Sequence, residues 1–378
     1  MHILHVYKTY FPDTVMGIER VIYEIAEGGA AQGATHDVLC LSPSPNPETI
    51  TIGAHRAHRA RQDLTVASNG MSLSVLGLYR RLWRDADVIH FHYPWPMMDL
   101  LHLMQPRRGS KPIVVTYHSD IVRQRRLGRL YAPLRDWFLT SADATVATSD
   151  NYAASSDVLR RHASALRVIP IGLGERPSPD AETVRTLRQR VGVGFFLFVG
   201  AARYYKGLPY LIEAARLTGL PVVLAGSFRP KELGPLPANV KALGPVTDAE
   251  KEALLDLSLA LVLPSHLRSE AYGVVLVEAA RAGRPMISCE IGTGTSFVNH
   301  DGETGLVVAP GDPQALADAM RRLASDAAFA ERCGAGARDR YDRHLTAGQM
   351  VGAYHDLYAE LLDGRAARHR PAAIITSK

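Results

Sequence analysis

The sequence predicts an α/β protein made of two doubly wound, mainly parallel sheets. Short runs rich in Val and Ile alternate with amphipathic helical stretches along the chain, the pattern of βαβ crossovers. The alternation breaks once, at the Gly-, Pro- and Ser-bearing stretch "GLGERPSPDAETV" (172–184), and then restarts. A length of 378 residues also exceeds what one ordinary core organises, so two domains are expected.

In the first half, strands are expected at 2–7, 36–42, 87–92, 112–118, 144–149 and 167–172. Helices over 18–33 and 129–142 lie between them. The stretch 172–184 reads as the linker. In the second half, strands are expected at 195–200, 221–226, 259–265, 285–290 and 305–310. Helices follow at 208–219, 313–326 and 332–345, and a last one at 347–362. These elements give domains at 1–175 and 176–345, a closing helix over 346–364 and a small-residue, basic, disordered tail over 365–378.

Composition narrows the class. Hydrophobic content of 47% supports a large core without staples. Cys40, Cys289 and Cys333 lack metal-ligand spacing, and their odd number fits a reduced, cytoplasmic compartment. The start "MHILHVYKTY" reads as a strand rather than a leader. No apolar run reaches the ~20 residues of a membrane span. A net charge of +5 favours an anionic partner. No nucleic-acid motif accompanies that charge, so nucleic acid is not expected.

Two doubly wound domains facing each other create a cleft at the carboxyl ends of their strands, where ligands bind. Several stretches fall there. In "VGAARYYKGLPY" a strand ends at Gly200. Arg203 and Lys206 follow, and Gly207 precedes a helix, so two cations meet a helix N-terminus. That arrangement can hold a phosphate; the plainer reading is a solvated basic loop. In "SEAYGVVLVEAARAG" Glu270 lies in a loop and Gly273 permits close backbone approach. A helix from about Tyr272 to Arg281 carries Glu278 eight residues on. A helical spacing of that length is roughly 12 Å, which suits the two ends of a nucleotide-sugar. The alternative is a helix cap at Glu270 and an exposed Glu278. Against it, a charge within "VVLVEAA" would be buried and in need of a partner.

Gly17 opens the first helix, where backbone can come close to a ligand. His118 and Asp120 end a strand, placing an imidazole to bond a sugar hydroxyl. His90, His92 and His118 raise the question of a metal, but the first two share one strand and no metal is expected. "GTGTSFVNHDGETG" (292–305) is a turn able to meet a ligand, or an ordinary loop. Arg123, Arg125, Arg126, Arg129 and Arg135, with "RRLWR" (80–84), are either solvated faces or contacts with anionic lipid around 121–139.

Taken together, these residues resemble the large retaining glycosyltransferase family four, whose fold is the two-domain GT-B arrangement. The resemblance covers nearly the whole chain. Its most specific element is a Glu-x7-Glu pattern, met by Glu270 and Glu278. "RYYKGLPYLIEA" is similar to the family's phosphate loop, and "HDGETGLVV" to its late turn and strand. Met16 stands where the family usually has a first glycine, so only Gly17 carries over.

The resemblance implies that Arg203 and Lys206 hold the donor diphosphate, Glu270 contacts the transferred sugar and Glu278 binds the ribose. Tyr272, Gly273 and Val274 would supply backbone, and His118 would contact the sugar from the first domain. The last helix would cross back onto that domain. Cations and a helix N-terminus aimed at the leaving diphosphate would lower the barrier without metal or cofactor. Retention would follow from acceptor attack on the face the phosphate leaves.

The wording is most similar to bacterial mannosyl- and rhamnosyltransferases of polysaccharide assembly. It implies GDP-mannose or GDP-D-rhamnose as donor and a glycan or lipid-linked glycan as acceptor, at the cytoplasmic face of the inner membrane. A UDP-sugar-dependent transferase, a GT-B-like epimerase or phosphorylase, and a non-catalytic nucleotide or polyanion binder are the alternatives.

Overall fold

The computed structural model describes residues 1–66, 69–105, 110–121 and 125–368; the side chains of 125–129, 230, 232 and 366–368 are outside the description. Arg123 and the side chains of Arg125, Arg126 and Arg129 therefore lie outside it, as do 369–378.

Sixteen strands are described. In the first half they are β1 (His2–Val6), β2 (Thr35–Ser42), β3 (Thr49–Ile52), β4 (His55–Arg61), β5 (Leu64–Val66), β6 (Asn69–Met71), β7 (Val88–Tyr93), β8 (Ile113–Tyr117), β9 (Ala144–Ala147) and β10 (Leu166–Val168). In the second they are β11 (Phe195–Val199), β12 (Val222–Ala225), β13 (Val240–Gly244), β14 (Ser258–Leu263), β15 (Met286–Cys289) and β16 (Gly305–Val308). The first sheet has the order β10-β9-β8-β7-β1-β2-β4-β3 and the second β13-β12-β11-β14-β15-β16; β5 and β6 form a separate hairpin. All ladders in the two large sheets are parallel except β3–β4.

The central strands of both sheets are buried, which is why runs such as β11, β12, β14 and β15 are nearly continuously apolar rather than alternating. β11 reads Phe-Phe-Leu-Phe-Val and is buried through its first four residues. Burial of such strands against flanking helices is the main stabilising term, at about 25 cal/mol per Å² of apolar surface.

The last helix, Ala347–Arg368, follows Ala327–His344 with no strand between and packs on the first half, chiefly on helix Gly17–Ala31. Its Tyr358 hydroxyl lies 2.7 Å from His90 Nδ1, and its Tyr354 hydroxyl lies 2.7 Å from Thr116 Oγ1. Both tyrosines are buried. The sheet and the crossing helix are thus joined by satisfied polar contacts inside an apolar seam.

Several expected boundaries move. The linker is shorter than 172–184, because Asp180 caps a helix over Ala181–Val191 by accepting from the Thr183 amide at 2.8 Å. Arg176, within the supposed linker, is pinned to Glu252 at 2.6 Å and to Asp256 at 2.7 Å. The closing helix does not stop at 362. It continues to Arg368, and Arg365 pairs with Asp143 at 2.6 Å, so 365–368 are helical rather than part of a tail.

Strand 167–172 contracts to β10, and the helix expected at 129–142 begins at Arg125. The β3–β4 hairpin, β13 and helices such as Ser74–Asp85 and Asp248–Leu257 escaped the sequence reading. The hairpin strand β4 is "HRAHRAR", where apolar positions are too few to mark a strand. Its histidines and Arg59 are buried by polar pairing instead. Among the described residues, no helix is long and apolar enough to cross a membrane.

Candidate active site

The carboxyl end of β11 leads into Gly200, whose φ of 144° is one that L side chains rarely adopt. A turn closes there, with the Lys206 amide donating to the Arg203 carbonyl at 2.9 Å. Gly207 then caps helix Leu208–Thr218 with φ 70°. A Cβ on Gly207 would stand 1.9 Å from the Pro264 carbonyl oxygen, so only glycine lets this turn lie against the end of β14.

That contact brings Lys206 to Glu270. Lys206 Nζ lies 2.6 Å from Glu270 Oε2, with the two side chains 14% and 11% exposed. Ser265 Oγ donates to the same oxygen at 3.1 Å, leaving Glu270 Oε1 without a hydrogen bond among the described residues. Burial works against the charge on Lys206, but Glu270 and Tyr205 outweigh it, and the pKa is raised. Lys206 is therefore a fixed cation. The Arg203 side chain is exposed and makes no hydrogen bond or ion pair among the described residues.

Gly273 caps the next helix with φ 80°, so the helix begins at Val274 rather than Tyr272. Glu270 and Glu278 are thus not on one continuous helix. Only the four residues after Val274 are helical rise, about 6 Å. The amides of Tyr272, Gly273 and Val274 donate to no acceptor among the described residues, leaving N–H groups open at the helix head. The Tyr272 hydroxyl is not open: it donates to the Ile171 carbonyl at 3.1 Å.

Glu278 does have the partner that its apolar surroundings demand. Lys251 Nζ lies 2.7 Å from its Oε1, and Lys251 also holds Asp248 at 3.0 Å. Burial opposes the charge on Lys251, yet Glu278 keeps its pKa raised. Glu278 Oε2 makes no hydrogen bond among the described residues. Each glutamate therefore has one oxygen held by a lysine and one uncommitted.

Gly17 opens the first helix as expected, and a Cβ on it would lie 3.4 Å from Val274 Cγ2. The heads of the two helices, one from each half, therefore face each other directly. The halves also touch through Arg268, whose Nη2 lies 3.3 Å from Asp120 Oδ2 and whose Nη1 donates to the Gly292 carbonyl at 2.8 Å. Asn151 Nδ2 donates to Ser296 Oγ at 3.1 Å beside it. Arg268, Lys251 and Ser265 had no role in the sequence reading. A lone Arg or Lys in a loop or helix has no local signal, since its partner is far along the chain.

The turn 292–305 contains a short helix, Thr295–Val298, and its buried Thr293 hydroxyl donates to the Glu270 carbonyl at 2.8 Å. It braces the glutamate's backbone.

His118 lies just past β8, 5% exposed. Its Nε2 is 3.1 Å from His92 Nδ1. Burial lowers its pKa to about 3, so the ring is neutral at physiological pH. Among the described residues, one group could hold a metal by distance, His5, His90 and His92, whose ligand atoms lie within 4.8 Å of one another. The nitrogens of these rings are already committed to other imidazoles or to the hydroxyls of Thr116 and Tyr358. Their geometry is that of hydrogen bonding.

The segment "RRLWR" turns Leu82 and Trp83 inward, 7% and 6% exposed, while Arg80, Arg81 and Arg84 are exposed. Its apolar side belongs to the core.

Two parallel-sheet domains, a helix returning from the second to the first, and lysine–glutamate pairs around an open helix head define a GT-B glycosyltransferase. Sequence comparison agrees. Residues 15–174 match the family described as Glycosyltransferase Family 4, and residues 182–340 match Glycosyl transferases group 1. The chain is 48% identical over 361 residues to the D-rhamnosyltransferase WbpZ of Pseudomonas aeruginosa, covering 92% of this chain and 93% of that one. It is 44% identical over 378 residues to the O-antigen chain mannosyltransferase C of Escherichia coli, covering 97% and 100%. The sucrose-phosphate synthase of Thermosynechococcus elongatus shares the fold, with TM-score 0.80, 21% identity and coverage of 96% and 99%. The chain belongs to this glycosyltransferase family.

Proposed function

We propose that this glycosyltransferase moves mannose or D-rhamnose, with retention, from a GDP-linked sugar to a glycan or lipid-linked glycan of O-antigen type. The names of the two relatives above 40% identity support the sugar and the pathway class. The observation that carries the mechanism is the Lys206–Glu270 pair set beside the open amides of Tyr272, Gly273 and Val274.

In this reading the diphosphate lies against those amides, with Lys206 and Arg203 as its cations. Lys206 has three N–H donors and can keep Glu270 while gripping a phosphate oxygen. Glu270 Oε1 takes a sugar hydroxyl, and Glu278 Oε2 the ribose. His118 bonds the sugar from the first half, and Gly17 gives its backbone room. As the glycosidic bond breaks, charge grows on the departing phosphate, where preorganised donors stabilise it most. That phosphate takes the acceptor's proton on the same face, which retains configuration. The residues described supply binding, orientation and charge stabilisation and need no metal for these steps.

Acceptor contact at an anionic membrane is part of the proposal. Exposed Arg80, Arg81 and Arg84, with Leu73 and Leu130 both at least 80% exposed, give the first half a basic and apolar surface. Such contact would be peripheral, at the cytoplasmic face.

The test is transfer from GDP-mannose, GDP-D-rhamnose and UDP-glucose to polyprenyl-diphosphate glycans, with product anomers read by NMR. An α-linked hexose from a GDP-sugar alone is expected. Transfer from UDP-glucose alone, or consumption of a UDP-sugar without acceptor, would replace this reading with the UDP-dependent or epimerase alternative.

A further inference from the structure

Four histidines form a continuous row across the first sheet. His36 is on β2, His5 on β1, His92 on β7 and His118 at the end of β8, and these strands are neighbours in the order β8-β7-β1-β2. His36 Nδ1 lies 3.0 Å from His5 Nε2, His5 Nδ1 lies 3.1 Å from His92 Nε2, and His92 Nδ1 lies 3.1 Å from His118 Nε2. His36, His5 and His92 are no more than 2% exposed.

A neutral imidazole has one donor and one acceptor nitrogen. Each link needs one of each, so assigning one proton assigns all of them, and only two polarities are self-consistent. The far end decides between them. His36 Nε2 is fully enclosed and has no hydrogen-bond partner among the described residues. It is pressed against the first helix, where a Cβ on Gly29 would stand 2.1 Å away. A proton on that nitrogen would be a buried, unpaired donor, a rarer and costlier defect than an under-used acceptor.

With His36 Nε2 bare, every ring donates from Nδ1 to the Nε2 of the next. The row then ends with His118 accepting at Nε2 and carrying its proton on Nδ1. That nitrogen makes no hydrogen bond among the described residues and is not among the fully enclosed unpaired atoms. His118 precedes Asp120 by two residues, and Asp120 meets Arg268 from the other half, so the row ends where the halves face each other.

We propose that His36, His5 and His92 form a one-way imidazole wire that holds His118 as the Nδ1–H tautomer, presenting a donor to the cleft. They are positioning residues for His118: the tautomer of a histidine is set by the bond its other nitrogen makes. The neutral state of all four rings, each with its pKa lowered by burial first and neighbouring imidazoles where present, is consistent with this. Only the catalytic consequence rests on the sugar-contact reading of His118; the wire itself does not.

The test is long-range ¹H–¹⁵N NMR of the full chain labelled with ¹⁵N-histidine, without ligand, with His118 assigned through His118→Gln. The expected result is a His118 Nδ1–H tautomer. A His118 Nε2–H tautomer overturns the wire. In His92→Leu, His118 should become a tautomer mixture, and kcat with GDP-mannose should fall about tenfold, the worth of roughly one hydrogen bond, with KM little changed. His92→Asn, whose amide can donate from the Nδ1 position, should recover most of that loss. Equal losses in both variants, or an unchanged tautomer in His92→Leu, overturns the positioning role. If His92→Leu does not fold, the wild-type spectrum still decides. An Nδ1–H tautomer in a protein that transfers no hexose contradicts the proposed function and leaves the wire standing.

Discussion

Lys206 Nζ sits 2.6 Å from Glu270 Oε2, joining the loop after β11 to the loop after β14. The pair neutralises each member where the two loops meet, with both side chains largely buried. Lys206→Ala should leave Glu270 with only Ser265 beside it. It should cost about 1–3 kcal/mol of stability and at least 100-fold in transfer. Glu270→Gln should keep nucleotide affinity within about threefold while transfer falls about 100-fold. Calorimetric binding and initial rates on both variants check this.

Glu278 has the parallel arrangement with Lys251. Glu278→Ala should weaken nucleotide binding by about 1–3 kcal/mol through loss of a charged hydrogen bond to ribose, with a smaller effect on kcat than on KM. Lys251→Met should act in the same direction but less strongly, because it removes only the group that orients Glu278. Equal KM values in the wild type and Glu278→Ala would remove Glu278 from the donor site.

Gly207 should not tolerate a side chain. Gly207→Ala combines a φ of 70° with a Cβ placed 1.9 Å from the Pro264 carbonyl. The loop must move, and Lys206 with it. A melting temperature lower by several degrees is expected, together with loss of donor binding. Unchanged melting and binding would mean that the turn is not held as described.

Acid should destabilise the fold below about pH 6.5. Burial lowers the pKa of His36 to about 4 and of His118 to about 3, and puts those of His5, His90 and His92 well below the usual value. Between these values and 6.5 the unfolded chain binds more protons, so stability rises with pH and falls as pH drops. Each group contributes up to about 1.4 kcal/mol per pH unit. Asp99 works the other way, because burial raises its pKa to about 7 and its protonation favours the folded state. Glu19, whose pKa burial also raises, acts with Asp99, but two carboxyls do not offset five imidazoles. Chemical denaturation from pH 7.5 to 4.5 should show stability falling steadily below 6.5, and His36→Asn should flatten the slope.

Much of this was legible in the sequence, for physical reasons. Buried parallel strands are runs such as "FFLFV" and "SLALVL", which no other element explains at that length. Gly207 and Gly273 mark left-handed caps, and both Lys206 and Glu270 lie beside them. The need of Glu278 for a partner followed from its apolar neighbours, but Lys251, 27 residues earlier, could not be identified as that partner. The helix start expected at Tyr272, and the helical spacing applied from Glu270 to Glu278, missed the cap at Gly273. His118 was legible as the end of a strand, whereas the His36–His5–His92 row depends on strand order, which a linear sequence does not display. β4 was missed because its buried histidines and arginine leave too few apolar positions to mark a strand.

The central claim is that the helix head at Val274, with Lys206, Glu270 and Glu278, binds a nucleotide diphosphate. The most direct measurement is the melting shift of the wild type and Glu278→Ala with GDP, UDP, ADP and dTDP. A ligand that binds only the folded state raises the melting temperature, by the equivalent of about 2.7 kcal/mol at 100 times its Kd. The account predicts a clear rise with GDP, little with the other three, and a strongly reduced rise with GDP in Glu278→Ala. No rise with any nucleotide, or an equal rise in both proteins, would contradict it.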